Sequence, residues 1–301
     1  MTKISKSIVS LYPAAFVVLL LLAAAASAEE VYRWPLDLPR DLSSSFGEYR
    51  PGRFHAGIDL RTGGVTGKPV YVAADGYVSR VRCSPWGYGK AVYVQFEDGN
   101  SAVYAHLEDY YDVLREYVRD NQHARRSYTV DLYPEPGRFP VYKGRQIAVS
   151  GSTGAGPPHL HYELRDSAGR PFNPKLAGAV WPDTVPPIFR SVLIAPEGNA
   201  GTVNGGFKPI ILDVVRHKGG HYTTAPITAS GRIGIAADVI DPGNDGIKMG
   251  VHVLRLTHEN KEVFQVRHDY ISYNNISNGA VAYHPFFLNE GHYLLLWRWS
   301  G

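Results

Sequence analysis

Short runs of alternating apolar and polar residues dominate the chain from residue 30 to about residue 182. β-Branched and aromatic residues fill these runs and Gly and Pro separate them, which is typical of strands. The clearest runs lie at 70–73, 76–81, 91–96 and 101–105. Asp98, Gly99 and Asn100 separate the last two runs and predict a tight hairpin turn. The pattern therefore predicts an antiparallel β domain of many short strands.

One segment follows helical periodicity instead. Apolar residues recur at helical spacing from Asp109 to Gln122, with acidic residues early and Arg119 late. The stretch that continues to Pro140 predicts an inserted strand at 128–132 and a turn. This insertion is either a packing addition to the β core or one wall of a substrate groove. A single amphipathic helix favours the packing interpretation.

More strand-like runs follow a boundary at 183–187, where Pro186 and Pro187 favour an extended linker. These later runs lie at 210–215, 233–239 and 251–256. They predict a β-sandwich accessory domain of immunoglobulin-like type over 188–301. Because the sequence ends directly after a strand-like run, the expectation is that this domain is incomplete. The predicted fold class is mostly β, with a first domain at 29–182 that carries a small helical insertion.

Residues 1–28 have the pattern of a secretory signal peptide. Lys3 and Lys6 precede an apolar run, and a small-residue cleavage pattern ends just before Glu29. An uncleaved N-terminal anchor is the alternative, but the uninterrupted apolar stretch at 14–26 is short for a spanning helix. The sequence therefore predicts an exported protein, periplasmic or extracellular, with no membrane attachment after cleavage.

Composition narrows the function classes only slightly, because 44% hydrophobic and 20% charged residues are ordinary for a globular protein. Without the two lysines of the leader, 29 basic residues face 28 acidic ones. With no basic run interleaved with aromatic residues, nothing indicates nucleic-acid binding. The single cysteine, Cys83, cannot form an internal disulfide and is expected to be a buried or half-buried spectator thiol.

Three segments of the first domain hold the candidate chemistry. His55 and Asp59 lie four residues apart, with a glycine between them where close backbone approach is needed. His159 and His161 alternate on a predicted strand, so both imidazoles are expected to face one cleft. His106 ends another predicted strand. Imidazole and carboxylate are ordinary zinc ligands, and a catalytic zinc keeps three protein ligands and one open position. The residues alone leave a metal site and an accident of sequence both open.

Taken together, His-x-x-x-Asp, Tyr-Ala-His-Leu and His-x-His resemble the signature of the lysostaphin/LytM-type peptidoglycan endopeptidases, family M23. The match runs in order from about Trp34 to Pro174. Supporting segments lie at 44–47, 69–78, 87–89 and 150–154. The resemblance implies an antiparallel β-sheet peptidase domain of LytM type. It also implies a zinc metalloendopeptidase that hydrolyses peptide cross-links of bacterial peptidoglycan, with the stem peptides as substrate.

The same resemblance implies a role for each of the five residues. His55, Asp59 and His161 match the ligands of Zn2+. His106 and His159 match the catalytic pair that flanks the water and the scissile carbonyl, one as base and the other as donor to the oxyanion. The sequence leaves open which histidine is the base. It also leaves open whether a D-amino-acid cross-link or a glycine bridge is cut.

Two other functions stay open. Some relatives have lost ligands and only activate other wall enzymes, so the chain is alternatively a non-catalytic wall-binding or amidase-activator protein with a vestigial or structural metal site. The complete motif set favours the enzyme. In the other alternative, the C-terminal β domain carries the main function by binding wall polymer or a protein partner. The insertion at 108–140 is longer than in compact members of the family and leaves peptide specificity open.

Overall fold

The computed structural model describes residues 31–298. The predicted signal peptide therefore lies outside the described residues, as do residues 299–301. Within the described range the protein is mostly β, as predicted, and its paired strands are antiparallel. No helix within residues 31–298 is long and apolar enough to cross a membrane.

The first part of the fold is built on one large antiparallel sheet with a single α-helix beside it. Its strands are β1 (Leu42–Ser44), β2 (Tyr49–Arg50), β3 (Arg53–Phe54), β4 (Ile58–Arg61), β5 (Pro69–Tyr71), β6 (Gly76–Cys83), β7 (Lys90–Phe96), β8 (Ser101–Tyr110), β9 (Val130–Leu132), β10 (Pro140–Val141), β11 (Gln146–Ser150), β12 (His159–Arg165) and β13 (Pro171–Phe172), and the helix is α1 (Val113–Arg125). The main sheet has the order β1-β4-β12-β8-β7-β6-β10; β11 joins β5 to β8, β9 pairs with β6 and β13 with β12, whereas β2 and β3 form a separate two-stranded sheet. Strands β4, β12 and β8 are therefore direct neighbours near one side of the sheet.

Alternation along these strands sends one set of apolar side chains into a common core. Ile58 and Leu60 of β4 and Leu160 of β12 are almost fully buried there. The predicted turn joins β7 to β8, and Gly99 adopts a positive φ of 88° that glycine accepts without strain. The predicted strand runs of the first domain are thus confirmed in place, but the run at 70–73 ends at Tyr71, and His106 lies within β8, which pairing with β11 extends to Tyr110, rather than at its end.

Helix α1 begins at Val113, four residues later than predicted. The reason is that Asp109 and Tyr110 continue β8, where Tyr110 pairs with Ala148 of β11 and is buried. Leu114 and Val118 of the helix join the main core. These contacts support the packing interpretation of the insertion.

The second part of the fold is a separate β structure that begins at Ile188. Its strands are β14 (Ile188–Val203), β15 (Ile210–Arg216), β16 (Tyr222–Thr224), β17 (Ala229–Pro242), β18 (Lys248–Met249), β19 (Val253–His258), β20 (Lys261–Arg267) and β21 (Tyr293–Leu295), and a short helix, α2 (Gly279–Ala282), lies between β20 and β21 in sequence. One sheet has the order β16-β15-β14-β17-β18 with β21 on β17, and β19 and β20 form a two-stranded ribbon. Leu254 of the ribbon shares an apolar cluster with Ala237 and Leu294 of the sheet. Ribbon and sheet therefore pack as two layers; the immunoglobulin-like strand order stays a prediction.

The two parts contact each other along β13. The backbone N–H of Asn173 donates to the carbonyl of Asp269 at 2.8 Å, and the N–H of Ile271 donates to Pro171 at 2.9 Å. A second contact joins Ser45 to Gly250, whose N–H donates to the serine hydroxyl at 3.0 Å. The chain segment after β20 is thereby fixed against the sheet that carries the candidate site.

Candidate metal centre

Sheet register brings the predicted ligands together. In the pairing of β4 with β12, His161 lies opposite Asp59, and in the pairing of β12 with β8 it lies opposite Ala105. His55 is three residues before β4, in the loop that enters it. Ligands more than 100 positions apart in sequence therefore meet on two adjacent strands, β4 and β12, and on the loop that enters β4.

The three candidate ligand atoms nearly touch. Nε2 of His55 lies 3.1 Å from Oδ1 of Asp59, and Nδ1 of His161 lies 2.8 Å from the same oxygen. The two histidine nitrogens are 3.0 Å apart, and all three side chains are buried. Tetrahedral zinc with bonds of about 2.0–2.1 Å holds its ligand atoms about 3.3 Å apart. A small outward adjustment of these side chains would thus accommodate the ion.

Hydrogen bonds on the far side of each imidazole leave the right nitrogen available. Nδ1 of His55 lies 2.8 Å from the carbonyl oxygen of Ser45, which can only accept, so this nitrogen carries the proton and Nε2 keeps its lone pair. Nε2 of His161 lies 2.9 Å from Oε1 of Glu163, so Nδ1, which points to Asp59, is the atom that would bind the ion in place of a proton. Outer partners of this kind orient zinc-binding histidines. The donor set fits zinc.

The electrostatics of the cluster favour positive charge at its centre. Burial raises the pKa of Asp59, but nearby His55 and a hydrogen bond from His161 outweigh burial and hold this pKa well below its usual value. Burial lowers the pKa of His161, but hydrogen bonds to Asp59 and Glu163 raise it to about 9. Arg50 also donates to Oδ2 of Asp59 at 2.5 Å. The place between the two carboxylates thus attracts a proton or a cation.

Glu163 is a fully buried carboxylate that supports His161. Burial raises its pKa, but the hydrogen bond from His161 and the charge of Arg165 lower it to about 2. Arg165 donates to Oε2 of Glu163 from Nε at 2.8 Å and from Nη2 at 2.7 Å. Tyr88 donates to Oε1 of Glu163, and its ring stacks on His161 with 5.3 Å between centroids. Glu163 therefore stays ionised and fixes the imidazole.

The predicted catalytic histidines lie beside the ligand triad. The rings of His106 and His159 are 4.6 Å apart, and Nε2 of His159 is 3.7 Å from Oδ1 of Asp59. Nδ1 of His106 donates to the carbonyl of Thr153 at 2.9 Å, and Nδ1 of His159 donates to Pro157 at 2.7 Å. In the neutral ring, each Nε2 is then a proton acceptor.

His106 has an unusual backbone. Its φ is 58°, in the left-handed region that non-glycine residues rarely adopt, and its N–H donates to the carbonyl of Tyr88 at 2.9 Å. The pairing of β8 with β7 is irregular next to this position. Such irregularities re-aim a side chain out of the normal alternation of a strand. Burial and the charge of His161 lower the pKa of His106 to about 4, so this imidazole is neutral at pH 7.

Gly57 permits the close approach of the His55 loop to β12. A Cβ at this position would lie 2.5 Å from the carbonyl oxygen of Tyr162 and 2.9 Å from His161. We therefore expect Gly57→Ala to lower the free energy of unfolding by about 1–3 kcal/mol, the usual cost of overpacking, and to weaken zinc binding. Urea denaturation measures the first effect.

Gly206→Ala is the matched control, because a Cβ there meets only the carbonyl oxygen of Val203 at an ordinary 3.5 Å. Equal stability of the two variants would show that the loop can retreat from β12 without cost.

Comparison with known proteins finds one family model that matches part of the chain. Residues 53–126 match the model of peptidase family M23. This segment of the chain is therefore similar to M23 peptidases. The matched range includes His55, Asp59 and His106, whereas His159 and His161 lie beyond it. The predicted recognition of this family is confirmed.

The names of the curated relatives that this chain matches indicate more than one kind of function. The DD-carboxypeptidase/endopeptidase Mpg of Neisseria meningitidis is 32% identical over 140 residues, which cover 44% of this chain and 26% of the relative. The murein hydrolase activator NlpD of Salmonella typhimurium is 28% identical over 143 residues, which cover 48% of this chain and 30% of the relative. The match thus spans less than a third of the length of either relative.

Among solved structures, the catalytic domain of the prophage-encoded M23 protein EnpA from Enterococcus faecalis is 28% identical, with a TM-score of 0.33, and the match covers 46% of this chain and 90% of that one. A zinc-containing peptidase from Vibrio cholerae is 26% identical, with a TM-score of 0.34, covering 50% of this chain and 40% of that one.

Several residues around the site were not predicted from the sequence. The sequence could have indicated Glu163, since this residue lies two positions after His161 and therefore shares its face of β12. Arg50, which neutralises Asp59, comes from the neighbouring short strand β2. Tyr273, which contacts Glu163, comes from the second part of the fold. Cys83 is buried, 3.4 Å from the side-chain amide of Gln122, in line with a spectator thiol.

Proposed function

We propose that this protein is a zinc-dependent endopeptidase that hydrolyses peptide cross-links of bacterial peptidoglycan. The observation that carries the proposal is the convergence of His55, Asp59 and His161, with His106 and His159 next to them. The relative named as a DD-carboxypeptidase/endopeptidase supports the substrate class.

His55, Asp59 and His161 would hold the zinc ion. They are one carboxylate and two imidazole nitrogens, that of His161 becoming available when the ion displaces its proton, and three ligands leave one position of a tetrahedral site free. A zinc ion there would supply Lewis-acid polarisation of a peptide carbonyl and lower the pKa of water. Ser45 and Glu163 hold the two imidazoles in the tautomers that this binding needs.

His106 and His159 would move the proton. In the neutral ring of each, Nε2 is the proton acceptor, because Nδ1–H is held by a backbone carbonyl. One accepts the proton of the attacking water and passes it to the leaving amine. The other, after taking up a proton from solvent, donates to the oxygen on which negative charge develops. Because both Nδ1 atoms are held in the same way, these contacts do not assign which histidine is the base. They do not identify the peptide bond that is cleaved either.

The activator function is the second candidate, because a murein hydrolase activator is among the relatives. The residues of this chain favour the enzyme, since the three donors and both neighbouring histidines are present and converge.

Export to the periplasm or the cell exterior follows from the predicted signal peptide and is part of the proposal.

The direct test is release of new amino termini from purified peptidoglycan by the zinc-loaded protein. We expect release that stops with a zinc chelator and returns when zinc is added back. Peptidoglycan with direct cross-links and peptidoglycan with glycine bridges, assayed in parallel, would identify the bond class. Release from neither by folded protein with one zinc per chain would exclude the enzyme. Stimulation of a wall amidase in that case would establish the activator function.

A further inference from the structure

Tyr273, in the second part of the fold, lies against the carboxylate that orients a predicted zinc ligand. Its hydroxyl donates to Oε2 of Glu163 at 2.8 Å and accepts from Nη2 of Arg165 at 2.6 Å. The guanidinium of Arg165 also lies over the Tyr273 ring, 4.8 Å from its centroid. Tyr273 is thus held by charge, hydrogen bonding and ring contact at once.

Glu163 links this tyrosine to the metal centre. The side chain of Glu163 is completely buried, and its Oε1 accepts from Nε2 of His161 at 2.9 Å. Burial and the charge of Glu163 raise the pKa of Tyr273, so its phenol stays protonated and can donate. Two hydrogen bonds therefore separate Tyr273 from an imidazole whose other nitrogen faces the ligand cluster.

The segment that carries Tyr273 is fixed on both sides. Before it, residues 269–271 pair with β13, which itself pairs with β12. Tyr273 starts the 3₁₀ turn Tyr273–Asn278, which Ser272 caps by accepting from the N–H of Asn274. After the turn, Gly279 packs so tightly on Arg53 that a Cβ there would come within 2.7 Å of its backbone. The position of the phenol is thereby set by the contact between the two parts of the fold.

We propose that Tyr273 is a positioning residue of the metal centre, acting through Glu163 on His161, so that the second β structure completes the hydrogen-bond shell of the site. This inference rests on the proposed zinc function. It gives the second β structure a task within the catalytic site in addition to any binding of wall or partner.

The test compares Tyr273→Phe with Tyr270→Phe in the full-length protein. Tyr270 lies three residues earlier on the same segment, where its ring packs on Phe172 and Arg170, away from Glu163. Loss of an outer partner of a metal-binding histidine typically weakens metal affinity about 10–100-fold. We expect Tyr273→Phe to weaken zinc affinity about 10-fold in chelator competition and to change the visible absorption of the Co2+-substituted protein. Tyr270→Phe is expected to change neither.

Kinetics add a second readout. Because Tyr273 acts on the orientation of His161, its loss is expected to lower kcat on a soluble cross-linked muropeptide with KM little changed. Circular dichroism of both variants checks that they are folded. If both bind zinc as the wild type does, with the wild-type Co2+ spectrum, the role of Tyr273 is excluded while the proposed function stands. A folded wild type that binds no zinc would instead exclude both.

Discussion

Replacing Asp59 with Asn is expected to abolish zinc binding and to slow peptidoglycan hydrolysis by about three orders of magnitude, since a bound metal supplies several kcal/mol of transition-state stabilisation. Asp59 is the one anionic ligand of the triad, and Arg50 lies 2.5 Å from it. Without the carboxylate, Arg50 leaves net positive charge beside the ligand nitrogens, which repels a divalent cation. Metal analysis after gel filtration and the amino-terminus release assay measure the two effects.

Asp37→Asn is a suitable control for this substitution. Asp37 also pairs with an arginine, Arg33, but its side chain is 64% exposed and does not belong to the ligand cluster. We expect this variant to keep one zinc per chain and the wild-type rate. If the Asp59 variant also kept its zinc and a rate within tenfold of the wild type, Asp59 would not be a ligand.

Replacing His106 or His159 with Ala is expected to leave zinc bound but to slow hydrolysis about 10²–10⁴-fold, the usual contribution of a general acid or base. These variants are expected to keep their zinc, unlike the Asp59 variant, because neither imidazole belongs to the triad whose donor atoms converge. Zinc content and rate, measured on the same preparations, separate a lost ligand from a lost proton carrier.

His123→Ala serves as the matched control, because His123 is exposed near the end of α1. It should retain both metal and rate. Loss of zinc from the His159 variant would show that His159 contributes to binding, and a wild-type rate in either variant would remove that residue from the mechanism.

Much of the site was predictable because its chemistry follows local spacing. His159 and His161 share a strand face through the two-residue period of a β-strand, and Gly57 allows the tight approach that its place between two ligands suggested. Similarly, the strands of the first part of the fold follow from alternation and from the turn at Gly99.

What the sequence could not reveal depends on contacts between distant segments. Tyr273 lies 110 residues from Glu163, and no local pattern connects them. The left-handed backbone of His106 arises from an irregular pairing of neighbouring strands rather than from its own propensity. The late start of α1 has the same origin, because pairing of Tyr110 with β11 extends β8 past the first apolar positions of the helical pattern.

The pairing of β4 with β12 also has a consequence for the stability of the fold. Asp59 and His161 are 102 positions apart, and the single cysteine rules out an internal disulfide. A metal ion shared by these two strands would act as a non-covalent cross-link that closes a loop of about 100 residues. A disulfide that closes a loop of that length stabilises the folded state by about 4.7 kcal/mol in the chain-entropy model, because it lowers the entropy of the unfolded chain. The ion that enables hydrolysis would thus also tie together the two strands on which its own ligands are mounted.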